Sequence, residues 1–231
     1  MKKFILIFLV LFLLSPELIR ADEEATSYLD LLDKKYSGLK DYTVDVNVHF
    51  DIESFKAPDM QGKLYYKAPD KMKVESKRVF FFPKDGGYLN HSLLRKEDFD
   101  IKLLEHLTYE NRKAVKLRLT PKKTKGGTKD LVLTIDADHT LIREMNISQF
   151  GGREIKAIIK YGKFDSFELP TDIELQFDSP ASEPTENKEF GPFMQGVKRA
   201  TGKVEMTYSN YKVNVGLSDE IFTEIKNDKM R

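Results

Sequence analysis

Apolar and polar residues alternate along the chain from Tyr42 to Ile52. Every second side chain in this stretch is apolar, and the side chains between them are polar. Because successive side chains of a β-strand point to opposite faces, the pattern predicts a long strand with one apolar and one polar face. The alternation resumes between Met60 and Val74 on either side of Pro69, which predicts a hairpin there.

Shorter alternating runs continue towards the C-terminus, and residues typical of turns lie between them. The runs are Val115–Leu119, Leu131–Ile135, Leu141–Ile147, Ile155–Phe164, Ile173–Phe177 and Val204–Tyr208. About ten strands that follow one another as hairpins predict a mainly β (α+β) fold with an antiparallel meander. A sheet of this size curls on itself, so a curved, barrel-like sheet is expected.

One convincing helix is predicted, between Thr26 and Leu39. Its apolar stripe consists of Tyr28, Leu29, Leu31, Leu32, Tyr36 and Leu39. A single stripe covers much less apolar surface than a sheet of ten strands presents. Two interpretations therefore stay open, a fully packed core or an apolar cavity that binds an apolar ligand.

The residues expected to line such a cavity lie on the apolar face of the strands. They are Val44, Val46, Val48, Phe50, Leu64, Tyr66, Met72, Val74, Leu117, Leu133 and Met206. The same positions would form an ordinary core if no ligand were bound, because core and cavity use the same face.

The N-terminus has the pattern of a secretory signal peptide. Two lysines precede an apolar run from Phe4 to Leu14, which is too short to span a membrane, and the small residue Ala21 follows. We expect cleavage after Ala21, which would leave residues 22–231 as one domain. The chain has no cysteine, which excludes disulfides, cysteine zinc sites and a lipid anchor on an N-terminal cysteine. An exported, soluble protein without a lipid anchor is therefore expected.

Charge and motif content favour a binding protein over an enzyme. The 38 basic and 37 acidic residues nearly cancel, which is not typical of a nucleic-acid-binding protein. The chain has no Gly-x-Ser-x-Gly motif and no glycine-rich phosphate loop. Four histidines occur without metal-ligand spacing, and they are His49, His91, His106 and His139. No catalytic residue, metal or cofactor is assigned.

Two segments between strands each allow two interpretations, an ordinary solvated loop or a functional element. The segment from Asp178 to Gly196 is rich in Pro, Ser and Glu, and it is either a solvated loop or a mobile flap. A flap would close over an apolar opening with Phe190, Phe193 and Met194. The basic residues Lys122, Lys123, Lys125 and Lys129 form either a solvated hairpin tip or a docking patch for acidic groups.

Several pieces of the chain resemble the LolA-like lipoprotein carrier family. The segment from Gly62 to Glu75, with its Ala-Pro-Asp turn, resembles the second hairpin of that family. Three further pieces agree in order, namely Leu117–Lys122, Leu133–Ile142 and Asn210–Phe222. The sequence departs from the family in having no Trp, in Lys73 where Arg is common, and in the extra segment from Asp178 to Gly196.

The resemblance implies an open half-barrel that is closed by helices and that holds acyl chains in an apolar cavity. It implies a monomeric periplasmic carrier that moves an acylated lipoprotein or lipid from an inner-membrane donor to an outer-membrane acceptor. An alternative of another class is an envelope-stress sensor of the same fold that detects mislocalised lipoproteins.

Overall fold

A computed structural model describes most of the chain. The described residues are 16–53, 58–76, 94–123, 128–150, 152, 154–179 and 200–223, with side chains described from residue 23 onwards. Residues 1–15 and 180–199 lie outside this set. The predicted signal peptide falls largely there, and its cleavage after Ala21 stays a prediction. The predicted flap between Asp178 and Gly196 likewise lies almost wholly outside the described residues.

Within the described residues, ten β-strands follow one N-terminal helix, α1 (Pro16–Tyr36). The strands are β1 (Asp41–Ile52), β2 (Met60–Lys67), β3 (Lys71–Ser76), β4 (Phe99–Tyr109), β5 (Arg112–Pro121), β6 (Thr128–Asp136), β7 (Leu141–Gln149), β8 (Glu154–Phe164), β9 (Phe167–Ser179) and β10 (Ala200–Val213). Short 3₁₀ turns occur at Lys96–Asp98 and Asp219–Phe222.

All ten strands form one antiparallel sheet in the order β3-β2-β1-β10-β9-β8-β7-β6-β5-β4. The last strand, β10, pairs with the first, β1, while the other neighbours are consecutive in sequence. In the described part of the chain, β3 and β4 are the two edge strands, and they do not pair with each other. The predicted mainly β fold of an open, curved, ten-stranded half-barrel with one N-terminal helix is confirmed.

The register aligns apolar side chains into rows that run across the sheet. One row begins at Phe50 on β1 and ends at Leu103 on β4. Its members between them are Val204, Leu175, Ala157, Met145, Leu133 and Leu117. We call the face that carries this row the inner face and the opposite, mainly polar face the outer face. Burial of these side chains supplies about 25 cal/mol for each Å² removed from water, which makes the inner face the main source of stability.

The helix differs from the predicted one in the position of both ends and in the exposure of Leu31. It begins at Pro16 and ends at Tyr36, rather than running from Thr26 to Leu39. Ala25, Leu29, Leu32 and Tyr36 are buried, but Leu31 is 45% exposed because it lies beside the buried stripe. The helix packs mainly against β4 and the 3₁₀ turn that precedes it. None of the helices in the described part of the chain is long and apolar enough to cross a membrane.

Strand β4 is the strand that the alternating runs did not reveal. A β-bulge interrupts its pairing with β5 between Leu103 and Glu105, and the extra residue, Leu104, is exposed. Phe99, Ile101 and Leu103 alternate before the bulge, and the bulge ends this run after three apolar positions. The other predicted runs all fall within strands of the sheet.

Candidate functional site

The eleven candidate cavity residues all belong to the inner hydrophobic cluster. Eight of them are at most 2% exposed, namely Val44, Val46, Val48, Leu64, Tyr66, Leu117, Leu133 and Met206. Phe50, Met72 and Val74 are only partly buried and pack against the cluster. Whether these residues contact a ligand stays a prediction, because the same burial suits a packed core.

The strand register collects the candidates into two groups. Val74 pairs with Leu64, which pairs with Val44, so that β3, β2 and β1 carry one group. Val48 pairs with Met206 and extends this group onto β10. Leu117 and Leu133 pair with each other on β5 and β6 and form the second group.

Sequence reasoning missed part of the inner face near the β4 edge. Ile101 and Leu103 of β4 pair with Leu119 and Leu117 and are partly buried. The partly buried Met72 and Val74 lie on the opposite edge strand, β3. Both edges of the half-barrel therefore carry apolar side chains that are not fully packed. The β4 residues could have been found from the sequence, because Phe99, Ile101 and Leu103 alternate with polar residues before the bulge at Leu104.

The sheet has two different ends. At the lower end lie the turns after β2, β4, β6 and β8 and the C-terminus of α1. At the upper end lie the last residues of β1, β3, β5, β7 and β9. These two ends differ in the side chains that they present.

Aromatic side chains pack together at the lower end. The ring of Tyr42 stacks on Tyr66 with centroids 4.9 Å apart, and Tyr211 lies 5.5 Å from Tyr42. Phe164 lies 4.4 Å from Tyr211. Burial raises the pKa of Tyr36, Tyr42, Tyr161, Tyr208 and Tyr211 well above the ordinary value for tyrosine. These hydroxyls therefore stay neutral.

The tyrosine hydroxyls join neighbouring elements at the lower end of the sheet. Tyr36 donates a hydrogen bond to the carbonyl of Glu168 at 2.8 Å. Tyr211 donates to the carbonyl of Pro170 at 2.8 Å, and Tyr161 donates to that of Ile142 at 2.9 Å. The Nζ atom of Lys35, at the end of α1, lies 2.7 Å from Oε2 of Glu168. The C-terminus of the helix is therefore fixed to the start of β9.

A buried carboxylate, Asp136, organises the turn between β6 and β7. It is 2% exposed and accepts hydrogen bonds from the backbone N–H groups of Asp138 and His139. The guanidinium groups of Arg112 and Arg143 also bind it, at 3.2 and 3.0 Å. Burial by itself would raise the pKa of Asp136, but the hydrogen bonds from His139, Arg143 and Arg112 hold the pKa well below its usual range.

A second buried carboxylate, Asp41, anchors the segment that follows β10. It is 4% exposed and accepts hydrogen bonds from the backbone N–H groups of Val215, Gly216 and Leu217 at 2.8 to 3.3 Å. Asn214 completes this contact, because its side chain binds the backbone of Gly38 and Lys40. The start of β1 and the end of β10 are therefore joined by polar contacts.

A groove of about 720 Å³ lies at the upper end of the sheet. Its lining comes mainly from β1 and from β7 to β10. Polar residues of the outer face line it together with apolar residues of an inner-face row, and they include Asp51, Lys156, Gln176, Lys203, Ile147, Ile155 and Phe177. The groove is therefore lined by residues of both faces.

The described residues contain no group of three or more His, Cys, Asp and Glu that could hold a metal ion. His49, His106 and His139 each contact one carboxylate, from Asp59, Glu24 and Asp136 respectively. His91 lies outside the described residues. Lys122, Lys123 and Lys129 of the tip between β5 and β6 are exposed, and Lys125 lies outside the described residues.

Comparison with known proteins identifies the fold. No family model matches the chain, and a search of curated proteins found no match. The structure is similar to that of a DUF1329 family protein from Desulfovibrio piger, with a TM-score of 0.60, 14% identity and coverage of 88% of this chain and 98% of that one. It is also similar to a LolA superfamily protein from Nitrosomonas europaea (TM-score 0.53, 12% identity, 87% and 97% coverage).

A third similar structure is a putative outer membrane lipoprotein-sorting protein domain from Vibrio parahaemolyticus, with a TM-score of 0.51, 11% identity and coverage of 86% of this chain and 97% of that one. Each of these neighbours matches over nearly its whole length. The protein therefore has a LolA-like fold, as the sequence resemblance predicted.

Proposed function

We propose that this protein, with its LolA-like fold, binds acyl chains of lipoproteins or lipids against its inner face and carries them through the periplasm towards the outer membrane. The observation that carries the proposal is the unbroken apolar row from Phe50 to Leu103. It crosses eight strands of a sheet whose two edge strands, in the described part of the chain, do not pair. A long apolar surface inside an open sheet suits a long apolar ligand.

The partly buried side chains at the two edges mark where an acyl chain would first make contact. Met72 and Val74 lie on β3, and Ile101 and Leu103 lie on β4. These side chains retain some exposure, so a ligand can bury more apolar area there. Methionine adapts its shape readily, which suits ligands of varied length.

Weak, non-directional binding is what a carrier needs. An acyl chain gains about 0.8 kcal/mol for each methylene that leaves water, and a membrane offers the same gain. A carrier must therefore release its cargo through small differences in contact and shape. The apolar inner rows supply binding of this kind, and the eleven candidate residues remain our proposed lining.

The partners follow from this role. The cargo would be an acylated lipoprotein or a lipid, received from an inner-membrane donor and delivered to an outer-membrane acceptor. The protein would act as a periplasmic monomer after removal of its signal peptide, and without enzymatic activity. The lipoprotein-sorting name of one structural neighbour is consistent with this role.

The first test is to purify the protein from the periplasm of a Gram-negative host, extract it and identify bound acyl species by mass spectrometry. Binding of a fluorescent palmitate analogue then gives an affinity. We expect co-purifying acyl species and saturable binding. Neither bound acyl species nor binding of the analogue would contradict the proposal.

Matched variants on β3 test which face binds. Val74 lies on the inner face, and its neighbour Lys73 lies on the outer face. We expect Val74→Glu to weaken binding of the palmitate analogue by about tenfold or more, because a carboxylate would be buried against the acyl chain. Lys73→Gln should bind as the wild type does. Equal loss in both variants would argue against a site on the inner face.

A further inference from the structure

Two side-chain atoms in the described part of the chain are buried without a hydrogen-bond partner, Oδ1 of Asn47 and Oγ1 of Thr128. Asn47 is partly exposed and lies on the outer face of β1, whereas Thr128 is 2% exposed. A hydroxyl can both donate and accept a hydrogen bond. A buried hydroxyl that does neither destabilises the protein, so its presence needs a reason.

A β-bulge turns Thr128 towards the inside of the half-barrel. The pairing of β6 with β7 shifts between Thr128 and Asp130. Lys129 is exposed, whereas Thr128 and Leu131 are both buried although they are three residues apart. Bulges commonly re-aim a side chain in this way. The Thr128 hydroxyl therefore belongs with the inner face.

The position of Thr128 is the point where the apolar rows end. Leu131 pairs with Ile147 and with Leu119, and these form the last apolar row before the upper end. Thr128 follows this row at the start of β6, opposite Gln149. The lower end is filled by the tyrosine cluster. A ligand with an apolar tail and one polar group would thus meet apolar side chains first and a free hydroxyl at the upper end.

We propose that the hydroxyl of Thr128 is the binding site for the carbonyl group at the head of an acyl chain, as found in an acyl ester or amide. The hydroxyl donates a hydrogen bond to the carbonyl oxygen, and the chain runs from there along the inner face towards the lower end. This inference rests on the proposed function, and it adds a direction for the bound chain and a group that distinguishes acyl compounds from plain hydrocarbons.

The test compares two ligands and four proteins. Methyl palmitate has a carbonyl group, and hexadecane is an alkane of similar chain length; both are measured by displacement of a fluorescent apolar reporter. We expect the wild type to bind the ester about three- to tenfold more tightly than the alkane, the range that one net hydrogen bond gives. Thr128→Val should lose this preference and bind the alkane unchanged, and Thr128→Ser should keep it.

Thr134→Val is the matched control. Thr134 lies on the same strand and is 1% exposed, but it alternates with Leu133 and Ile135 and so lies on the opposite face. This variant should keep the preference for the ester. In the ligand-free protein, Thr128→Val should raise the Tm, because it replaces an unsatisfied buried hydroxyl with a methyl group of the same shape.

The outcomes separate the two proposals. A Thr128→Val variant that still prefers the ester would overturn the role of Thr128 and leave acyl binding intact. A wild type that binds both compounds equally would do the same. A wild type that binds neither compound would overturn the proposed function and this inference with it.

Discussion

The lower and upper ends of the half-barrel differ in how their polar groups are satisfied. At the lower end, the buried carboxylates of Asp41 and Asp136 are surrounded by donors, and the hydroxyls of Tyr36 and Tyr211 bind backbone carbonyls. At the upper end, the apolar rows reach the last paired residues, and the buried hydroxyl of Thr128 has no partner in the described structure.

The difference indicates that the two ends of the strands have different roles. Buried polar groups that are fully hydrogen-bonded fix a unique arrangement, so we expect the lower end of the sheet to be rigid. Apolar surface without directional bonds can accept ligands of varied shape. A stable lower end would keep the sheet folded while the upper end binds and releases a ligand. The predictions below test this comparison by perturbing each end.

The largest loss of stability is expected from high pH, which favours ionisation of the tyrosines of the lower end. Their folded-state pKa values are raised, so the unfolded chain ionises first, above pH of about 10. Stability is complete below that pH and is lost as the pH rises, by about 1.4 kcal/mol per pH unit for each buried tyrosine. Tyrosinate absorbance and near-ultraviolet circular dichroism should therefore change together in one cooperative step.

Tyr211→Phe should make this alkaline loss less steep, because one titrating hydroxyl is removed. Ionisation of these tyrosines at pH of about 10 in a protein that keeps its fold would show that water reaches the tyrosine cluster at the lower end.

The next effect is expected from Asp136→Ala. The substitution leaves Arg143, whose side chain is 14% exposed, without its carboxylate. Removing one partner of a buried ion pair costs about 3–5 kcal/mol. Urea unfolding should show this loss, while Asp100→Ala, at an exposed position near the upper end, should change the free energy of unfolding by less than about 0.5 kcal/mol. Similar losses in both variants would remove the distinction between the ends.

A smaller effect is expected from Asp41→Ala, which removes the acceptor for three backbone N–H groups. A loss of about 2 kcal/mol is expected from urea unfolding, since buried donors are left unsatisfied. Hydrogen exchange should become faster at Val215, Gly216 and Leu217. Asp41→Asn retains one oxygen acceptor and should lose less. Unchanged exchange at these three amides in Asp41→Ala would contradict the anchoring role.

The smallest effect is expected from Lys35→Met. Lys35 bonds Glu168 at 2.7 Å, but both side chains are partly exposed. Ion pairs of this exposure contribute about 0–1 kcal/mol, so the urea midpoint should shift only slightly and the shift should shrink further in high salt. A loss as large as that of Asp136→Ala would mean that the helix contact, and not the buried carboxylates, holds the lower end together.

Sequence periodicity predicts the inner face well and the lower end poorly. The alternation from Tyr42 to Ile52 agrees with β1 to within one residue, because a half-buried strand selects side chains at every second position. It also implies a turn between the runs Leu131–Ile135 and Leu141–Ile147, but it gives no sign that Arg112 and Arg143 bind Asp136. Those contacts join three strands, and pairing between strands is not encoded by any local pattern.

Bulges explain most of the remaining differences. The bulge in β4 limits its alternation to Phe99, Ile101 and Leu103, and the bulge in β6 turned Thr128 inwards, where strict alternation from Leu131 would place Lys129. Each bulge breaks the period of two on which the strand predictions depend. The pairing of β10 with β1, which puts Met206 next to Val48, likewise follows from the whole sheet.

The most direct test of the central claim is photo-crosslinking with a palmitate analogue that carries a diazirine on its acyl chain. Mass spectrometry of the adducts then reports which face the chain contacts. We predict adducts on inner-face residues of β1 to β3, such as Phe50, Leu64 and Val74, that are displaced by unlabelled palmitate. Adducts confined to outer-face residues such as Asp51 and Lys203, or no displaceable adducts, would contradict an acyl-binding inner face.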